Sequence, residues 1–259
     1  LWDEDSISSN AFVEADRVAE VFLTAESQAK SVQCVAVESN AHVVPTVTGS
    51  PTLNSWMEAA RDTDVIATAR VDIYGEAGQG SRSVAVAYAG GYGNASYSES
   101  LYTYCRTAAE LSGAAGAEYT YEYVFSFTPH PGYDPVYESA LFAQWGCSSV
   151  ISIVTEDMGY DTAHVVAASN VSMSQCSTVG GQSLAIGVPH AYIALPEACK
   201  DVFSSAELIP ATPTVDSLVH ALTETFVEEG FSIPPAEVAA AGIPMDAIRR
   251  MLDRLRALL

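Results

Sequence analysis

Apolar and polar positions alternate most cleanly over residues 119–127 (YTYEYVFSF), where Tyr119, Tyr121, Tyr123, Phe125 and Phe127 fall on one face, and this predicts a β-strand. Shorter strand-like runs cover 31–39 (SVQCVAVES), 64–75 (DVIATARVDIYG), 82–90 (RSVAVAYAG), 137–144 and 149–155. The Gly-rich EAGQGS between 64–75 and 82–90 predicts an antiparallel hairpin. A second hairpin is predicted to turn at Trp145-Gly146-Cys147. Helical spacing predicts a helix over 11–29 behind Asn10, with Phe12, Ala15, Val18, Ala19 and Phe22 on one stripe. Further helices are predicted over 97–112, 161–175, 214–230 and 244–259, and 52–63 reads as a short helix or irregular turn. The last helix places Met245, Ile248, Met251, Leu252, Leu255 and Leu259 on one face.

Strands joined by short turns favour antiparallel pairing, so the expected fold class is α+β. It has an antiparallel sheet with helices packed on one face, followed by a helical C-terminal segment. Prolines 189, 196, 210, 213, 234, 235 and 244 punctuate the remainder. The predicted division is therefore an α+β domain over 1–205 and a helical docking or interaction segment over 206–259.

Composition narrows the partners. The chain has 259 residues, 49% hydrophobic and 17% charged, which is enough for a packed core. Its 32 acidic residues against 11 basic ones give a net charge of -21. Such a field repels phosphate backbones and anionic headgroups, so nucleic acid is not an expected partner. No run reaches the ~18 apolar residues of a membrane span. Leu1 is not an initiator, so the sequence is expected to begin after processing or partway along a longer precursor. Membrane contact is expected only through an anchor before Leu1 or through the C-terminal helix.

The five cysteines, Cys34, Cys105, Cys147, Cys176 and Cys199, include no C-x-x-C pair and no histidine at ligand spacing. An acidic chain with few lysines and arginines is a poor setting for a thiolate nucleophile. Disulfides in an oxidising compartment are the expectation. Cys105, on a predicted helix, is expected to pair with Cys147 at the hairpin, with Trp145 packing over the bridge. Closing that loop stabilises by ~3–4 kcal/mol in the chain-entropy model. The other three leave a choice: Cys34 with Cys176, or the more local Cys176 with Cys199, which is preferred. Asn94-Ala95-Ser96 and Asn170-Val171-Ser172 are glycosylation sequons by pattern.

Catalytic motifs are missing from the sequence. AGGYGNAS (89–96) lacks the Lys and spacing of a P-loop, and GGQSLAIG (180–187) lacks the spacing of a nucleophile elbow. Glu156, Asp157 and Asp161 cluster without the pattern of a calcium loop; weak calcium binding is the sharper reading and solvated surface the plainer one. Tyr88, Tyr92, Tyr97, Tyr102 and Tyr104 suit core packing better than a carbohydrate groove. No cofactor and no metal site are expected. Arg249, Arg250, Arg254 and Arg256 beside the apolar stripe suggest docking to a protein partner or a membrane surface. Packing on the chain's own acidic body is the competing reading.

SYSESLYTYC (96–105), QWGCSSVISIVTED (144–157) and YDTAHVVAASNV (160–171) resemble the extracellular sensor domain of PknH-type mycobacterial Ser/Thr kinases and related actinobacterial envelope lipoproteins. LPEACKDVFSSAEL (195–208) also resembles the Cys-containing openings of such lipoproteins. The resemblance covers residues 64–176 and implies an α+β sandwich outside the cytoplasmic membrane that binds a ligand without turning it over. The functional expectation is a non-enzymatic, extracytoplasmic binding or accessory protein of the cell envelope, secreted or envelope-attached. A virion or cell-coat protein and a secreted hydrolase without a recognisable motif are the alternatives.

Overall fold

The computed structural model describes residues 20–23, 44–91, 95–113, 119–130, 135–199, 207–233, 236, 238 and 246–258. Two short strands, β1 (Glu20–Leu23) and β2 (Val44–Val47), pair in parallel. β1 falls inside the stretch predicted as helix 11–29; the rest of that stretch, and the predicted strand 31–39, lie outside the described residues.

Two helices follow, α1 (Pro51–Ala59) and α2 (Thr63–Tyr74). The main sheet is built from β3 (Ser83–Ala89), β4 (Glu122–Thr128), β5 (Ile151–Ile153), β6 (Val171–Ser174) and β7 (His190–Tyr192). The connecting helices are α3 (Ala95–Gly113), α4 (Pro135–Trp145), α5 (Thr162–Ala167) and α6 (Val179–Ala185). The strand order is β5-β4-β3-β6-β7 and every pairing is parallel. The chain starts at the centre, moves out through β4 to β5, then crosses back to β6 and β7. This is a doubly wound, Rossmann-like α/β fold.

The expected antiparallel α+β fold is therefore corrected, and the reason lies in two segments. Residues 64–75 are helical, not a hairpin arm. Asp62 caps α2 by accepting from the Val65 amide at 3.2 Å. Ile66, Ala69 and Ile73 recur at helical spacing on the side packed against the sheet. Gly75, at φ +61°, ends the helix in a conformation that disfavours other residues. Residues 137–144 belong to α4, where Glu138 and Phe142 are buried four residues apart. The predicted hairpin turn is the end of this helix, with Gly146 at φ +77°. With those arms helical, each neighbouring strand needs a helical crossover and pairs in parallel. Residues 161–175, predicted as one helix, divide into α5 and β6.

Both faces of the sheet are covered. Every residue of β3 is buried. Val84, Val86 and Tyr88 pack toward α3 and α4 with Phe127, Phe142 and Leu101, while Ala85 and Ala87 face α2 and α5. Large residues on one side and alanines on the other give an alternation resembling a one-sided strand. Burying a Phe or Leu side chain here contributes about 1.5–3 kcal/mol. Phe127 and Phe142 add an edge-to-face contact at 5.2 Å.

Two disulfides join Cys105 to Cys147 and Cys176 to Cys199. Cys34 lies outside the described residues. Thr214 and Ser217 form a reciprocal capping box at α7 (Val215–His220), which continues through a π-helical turn (Ala221–Thr225) into Phe226–Glu228. The last helix, α8 (Ala247–Leu258), packs on α1, and its Ala247 is buried. No helix of the described residues is long and apolar enough to cross a membrane.

Candidate functional site

In a doubly wound sheet, the loops leaving the two central strands part in opposite directions and open a crevice at the strands' C-terminal ends. Here the parting lies between β3 and β6, and a cavity of about 710 Å³ occupies it. Gly91 after β3, Ser96, Glu99 and Ser100 in the first turns of α3, and His130 after β4 form one side. Ser174 to Thr178 at the end of β6 and Ile193 to Leu195 beyond β7 form the other. The Gln175 amide donates to Ser96 Oγ at 2.5 Å, tying the start of α3 to the end of β6.

Two more cavities, of about 350 and 650 Å³, continue along the same sheet edge, and His130 lines all three. The Gly90 amide donates to the Thr128 carbonyl at 2.7 Å, and a Cβ on Gly90 would meet the His130 nitrogen at 2.8 Å. The glycine thus lets two strand ends converge where the cavity opens. Thr128 Oγ1, beside the two smaller cavities, is buried without a hydrogen-bond partner among the described residues.

Among the described residues, the ionisable side chains lining the 710 Å³ cavity are Glu99 and His130, and no Lys or Arg lines it. Positive character comes from the N-terminus of α3, a 19-residue helix whose aligned peptide dipoles leave about half a positive charge at that end. Beneath the floor, buried Tyr88 and Ser100 share a hydroxyl–hydroxyl bond at 2.7 Å, and Tyr97 donates to Glu138 at 3.1 Å. Burial raises the Tyr88 and Tyr97 pKa values, so both phenols stay protonated. Fully buried His190 sits between Ser172 Oγ, 2.7 Å from Nδ1, and Ser174 Oγ, 2.9 Å from Nε2. Burial without a counter-charge pushes its pKa down to about 3.

The residues singled out from sequence divide between this site and elsewhere. Cys176 lines the cavity, whereas Cys105 and Cys147 are fully buried between α3 and the end of α4. Tyr88, Tyr97 and Tyr104 are core residues; Tyr102 is exposed and meets Trp145 edge-on at 5.4 Å. Glu156, Asp157 and Asp161 line the 650 Å³ cavity, where Asp161 caps α5 by accepting from the His164 amide at 2.9 Å. Among the described residues, no three metal-ligating side chains gather. Asn170 accepts from Arg70 at 2.9 Å and from the Ala85 amide at 2.9 Å, so its amide is engaged inside the fold. Arg249 and Arg250 pair with Asp246, and Arg256 pairs with Asp253; Ile248, Leu252 and Leu255 are exposed beside them. Arg254 is part-buried on the same helix.

Sequence reasoning missed Gly91, Ser96, His130 and Ser177. A signal existed: AGGYGNAS leaves a strand and opens a helix, with Gly91, Gly93 and Ser96 at a spacing close to G-x-G-x-x-G. It counts only once the preceding strand is recognised as central and parallel.

No protein-family model matches the sequence, and no curated protein matches it. Solved structures do match the fold. UDP-GlcNAc 2-epimerase of Methanocaldococcus jannaschii, in complex with UDP-GlcNAc and UDP, aligns with a TM-score of 0.63 at 12% identity, covering 92% of this chain and 61% of that one. A variant of the wall teichoic acid polymerase TagF soaked with CDPG aligns at 0.56 and 12% identity, covering 96% and 58%. A further TagF variant structure aligns at 0.54 and 12%, covering 94% and 59%. At this identity the likeness establishes the fold, and the chain spans about three fifths of each structure's length. The expectation of a non-enzymatic accessory protein is corrected here: it rested on missing motifs, and the structures sharing this fold are an epimerase and a polymerase. The two disulfides are compatible with an oxidising, extracytoplasmic compartment.

Proposed function

We propose that this chain is the nucleotide-binding part of a carbohydrate-processing enzyme and takes a nucleoside-diphosphate-linked substrate at the C-terminal edge of its sheet. The observation carrying this reading is the 710 Å³ cavity at the point where the strand order reverses, flanked by the N-terminus of α3. Ser96 and the first turn of α3 offer hydrogen-bond donors and a positive dipole end to phosphate. Ile193, Leu195, Ala198 and Pro213 supply an apolar wall for a flat base. His130, where the three cavities meet, is the side chain suited to give or take a proton at the transferred group. The reading extends to an extracytoplasmic enzyme of the cell envelope, which the two disulfides support.

Calorimetric titration with UDP, CDP and UDP-GlcNAc tests it. One saturable site, abolished by Ser96→Trp in a chain with unchanged melting temperature, is the expected result. Failure of all three ligands to bind the oxidised protein would refute the reading.

A further inference from the structure

The two disulfides occupy opposite environments. Cys105 and Cys147 are each 0% exposed, enclosed by the cluster that contains Leu101, Ala108 and Phe142. Cys176 is exposed on the wall of the candidate nucleotide cavity, while its partner Cys199 is 4% exposed and packed with Leu53, Leu184 and Tyr192. One bridge thus has an end at the solvent-exposed surface, whereas both ends of the other are enclosed in the core.

The accessible bridge also holds a wall of the site. It spans 23 residues, from the end of β6 to the turn beyond β7. Ile193 is fastened to the sheet, its amide donating to the Ser174 carbonyl at 2.8 Å. Beyond it, the Pro196–Ala198 turn is closed by a local bond from the Ala198 amide to the Leu195 carbonyl at 2.9 Å. Among the backbone hydrogen bonds of the described residues, none joins Leu195 or Ala198, both on the cavity wall, to the end of β6, and the bridge makes that link covalently.

We infer that the Cys176–Cys199 disulfide is a redox latch on the nucleotide cavity: oxidised, it holds the wall in its ligand-binding shape, and reduced, it releases it. This rests on the nucleotide reading above and names the regulation of that site. The reductant is a dithiol. Its thiolate attacks Cys176 Sγ, the Sγ–Sγ bond breaks, and Cys199 leaves as a thiolate that takes up a proton. The second thiol of the reductant then attacks the mixed disulfide, Cys176 leaves and is protonated, and the dithiol closes to its own disulfide. Two electrons pass to the protein, and the reverse reaction with an oxidised dithiol restores the latch.

Linkage gives the inference a sharp form. If reduction weakens nucleotide binding by some factor, bound nucleotide must protect the bridge from reduction by the same factor. The test uses the native chain poised with graded ratios of reduced to oxidised dithiothreitol, with thiols mapped by alkylation and mass spectrometry. Cys176 and Cys199 are expected to become labelled at ratios that leave Cys105 and Cys147 protected. UDP affinity is expected to fall about tenfold, a common size for coupling between two events in one protein. Saturating UDP is expected to shift the bridge's reduction midpoint correspondingly. Amide exchange over residues 193–199 is expected to quicken while that over 101–111 does not. A Cys176→Ser/Cys199→Ser double variant is expected to bind UDP like the reduced protein under either condition; should it fail to fold, the wild-type redox series gives the answer alone. Equal UDP affinity with the bridge open, or both bridges opening together, overturns the latch and leaves the nucleotide reading standing. Absence of UDP, CDP and UDP-GlcNAc binding to the oxidised protein refutes that reading, and amide exchange over 193–199 then decides whether the bridge holds the wall.

Discussion

Acidification from pH 7 to pH 5 is expected to destabilise the fold through His190. The ring is completely buried, its nitrogens facing the Ser172 and Ser174 hydroxyls, and Ser172 donates in turn to Ser183 at 2.7 Å. Hydroxyls solvate a neutral imidazole but supply no negative charge for an imidazolium. Burial accordingly holds the pKa at about 3, against roughly 6.5 for an unfolded histidine. The folded value lies below the unfolded one, so the unfolded chain binds the extra proton as pH falls. The stability tied to this group is complete above about pH 6.5 and declines by ~1.4 kcal/mol per pH unit from there toward pH 3. Between pH 7 and pH 5 the loss is about 2 kcal/mol, and it is insensitive to the folded value because pH 5 lies well above it. Urea unfolding followed by circular dichroism at pH 7, 6 and 5, for wild type and His190→Asn, measures it. Substitution shifts the variant's stability at every pH by about 1–3 kcal/mol as serine hydroxyls lose their partner. The diagnostic is the slope: wild type should lose about 2 kcal/mol more than the variant over this range. Equal losses would refute the argument, since the other histidines are common to both chains.

Two further perturbations probe the frame of the site. Gly90→Ala would bring a Cβ to 2.8 Å from the His130 nitrogen and 2.9 Å from the Thr128 carbonyl oxygen, both backbone atoms that cannot swing aside. The expected cost is about 1–3 kcal/mol by overpacking, with loss of UDP binding, read by thermal unfolding and calorimetry; an unchanged variant would show that the strand ends need not approach so closely. Cys105→Ala/Cys147→Ala opens a 42-residue separation and should cost about 4 kcal/mol in the chain-entropy model, measured by urea unfolding under oxidising conditions. A loss below 1 kcal/mol would mean that α3 and α4 are held by packing alone.

Local patterns carried much of the fold, and chain direction carried little. Strand β4 was legible because Tyr123, Phe125 and Phe127 alternate with smaller or polar residues and enter one core. Helices α3, α7 and α8 were legible from spacing and stops. Strand orientation was not, because parallel and antiparallel partners use the same side chains and differ only in what connects them. The decision turned on 64–75 and 137–144, where β-branched and aromatic residues stand in helices. Their helical spacing, Ile66–Ala69–Ile73 and Glu138–Phe142, was present, but Val65, Val71 and Tyr137 filled the gaps and imitated strands. The site was hidden for the same reason. A glycine loop after a strand is ordinary in a hairpin and becomes a candidate ligand loop only at the centre of a parallel sheet. His130 stands alone in sequence, and only the fold brings it beside Ser96 and Ser177.

A net charge of -21 was grounds for not expecting a nucleic-acid partner, because it repels phosphate backbones, yet the candidate site is one that suits a diphosphate. The two statements are reconciled by range. The repulsive field is a sum over surface carboxylates in water and is cut off beyond about 8 Å at physiological ionic strength. The attraction at the N-terminus of α3 acts at contact, through amide donors that need no counter-ion and within one helical turn. Salt weakens the first more than the second. A site built on Lys and Arg would behave in the opposite way, losing affinity as its own attraction is screened. UDP affinity for this chain is therefore expected to hold level or rise between 0.05 and 0.5 M NaCl, across which the screening length falls roughly threefold. Calorimetry across that range tests the point. A steep fall in affinity with salt would mean that cationic side chains carry the phosphates and that the helix terminus does not.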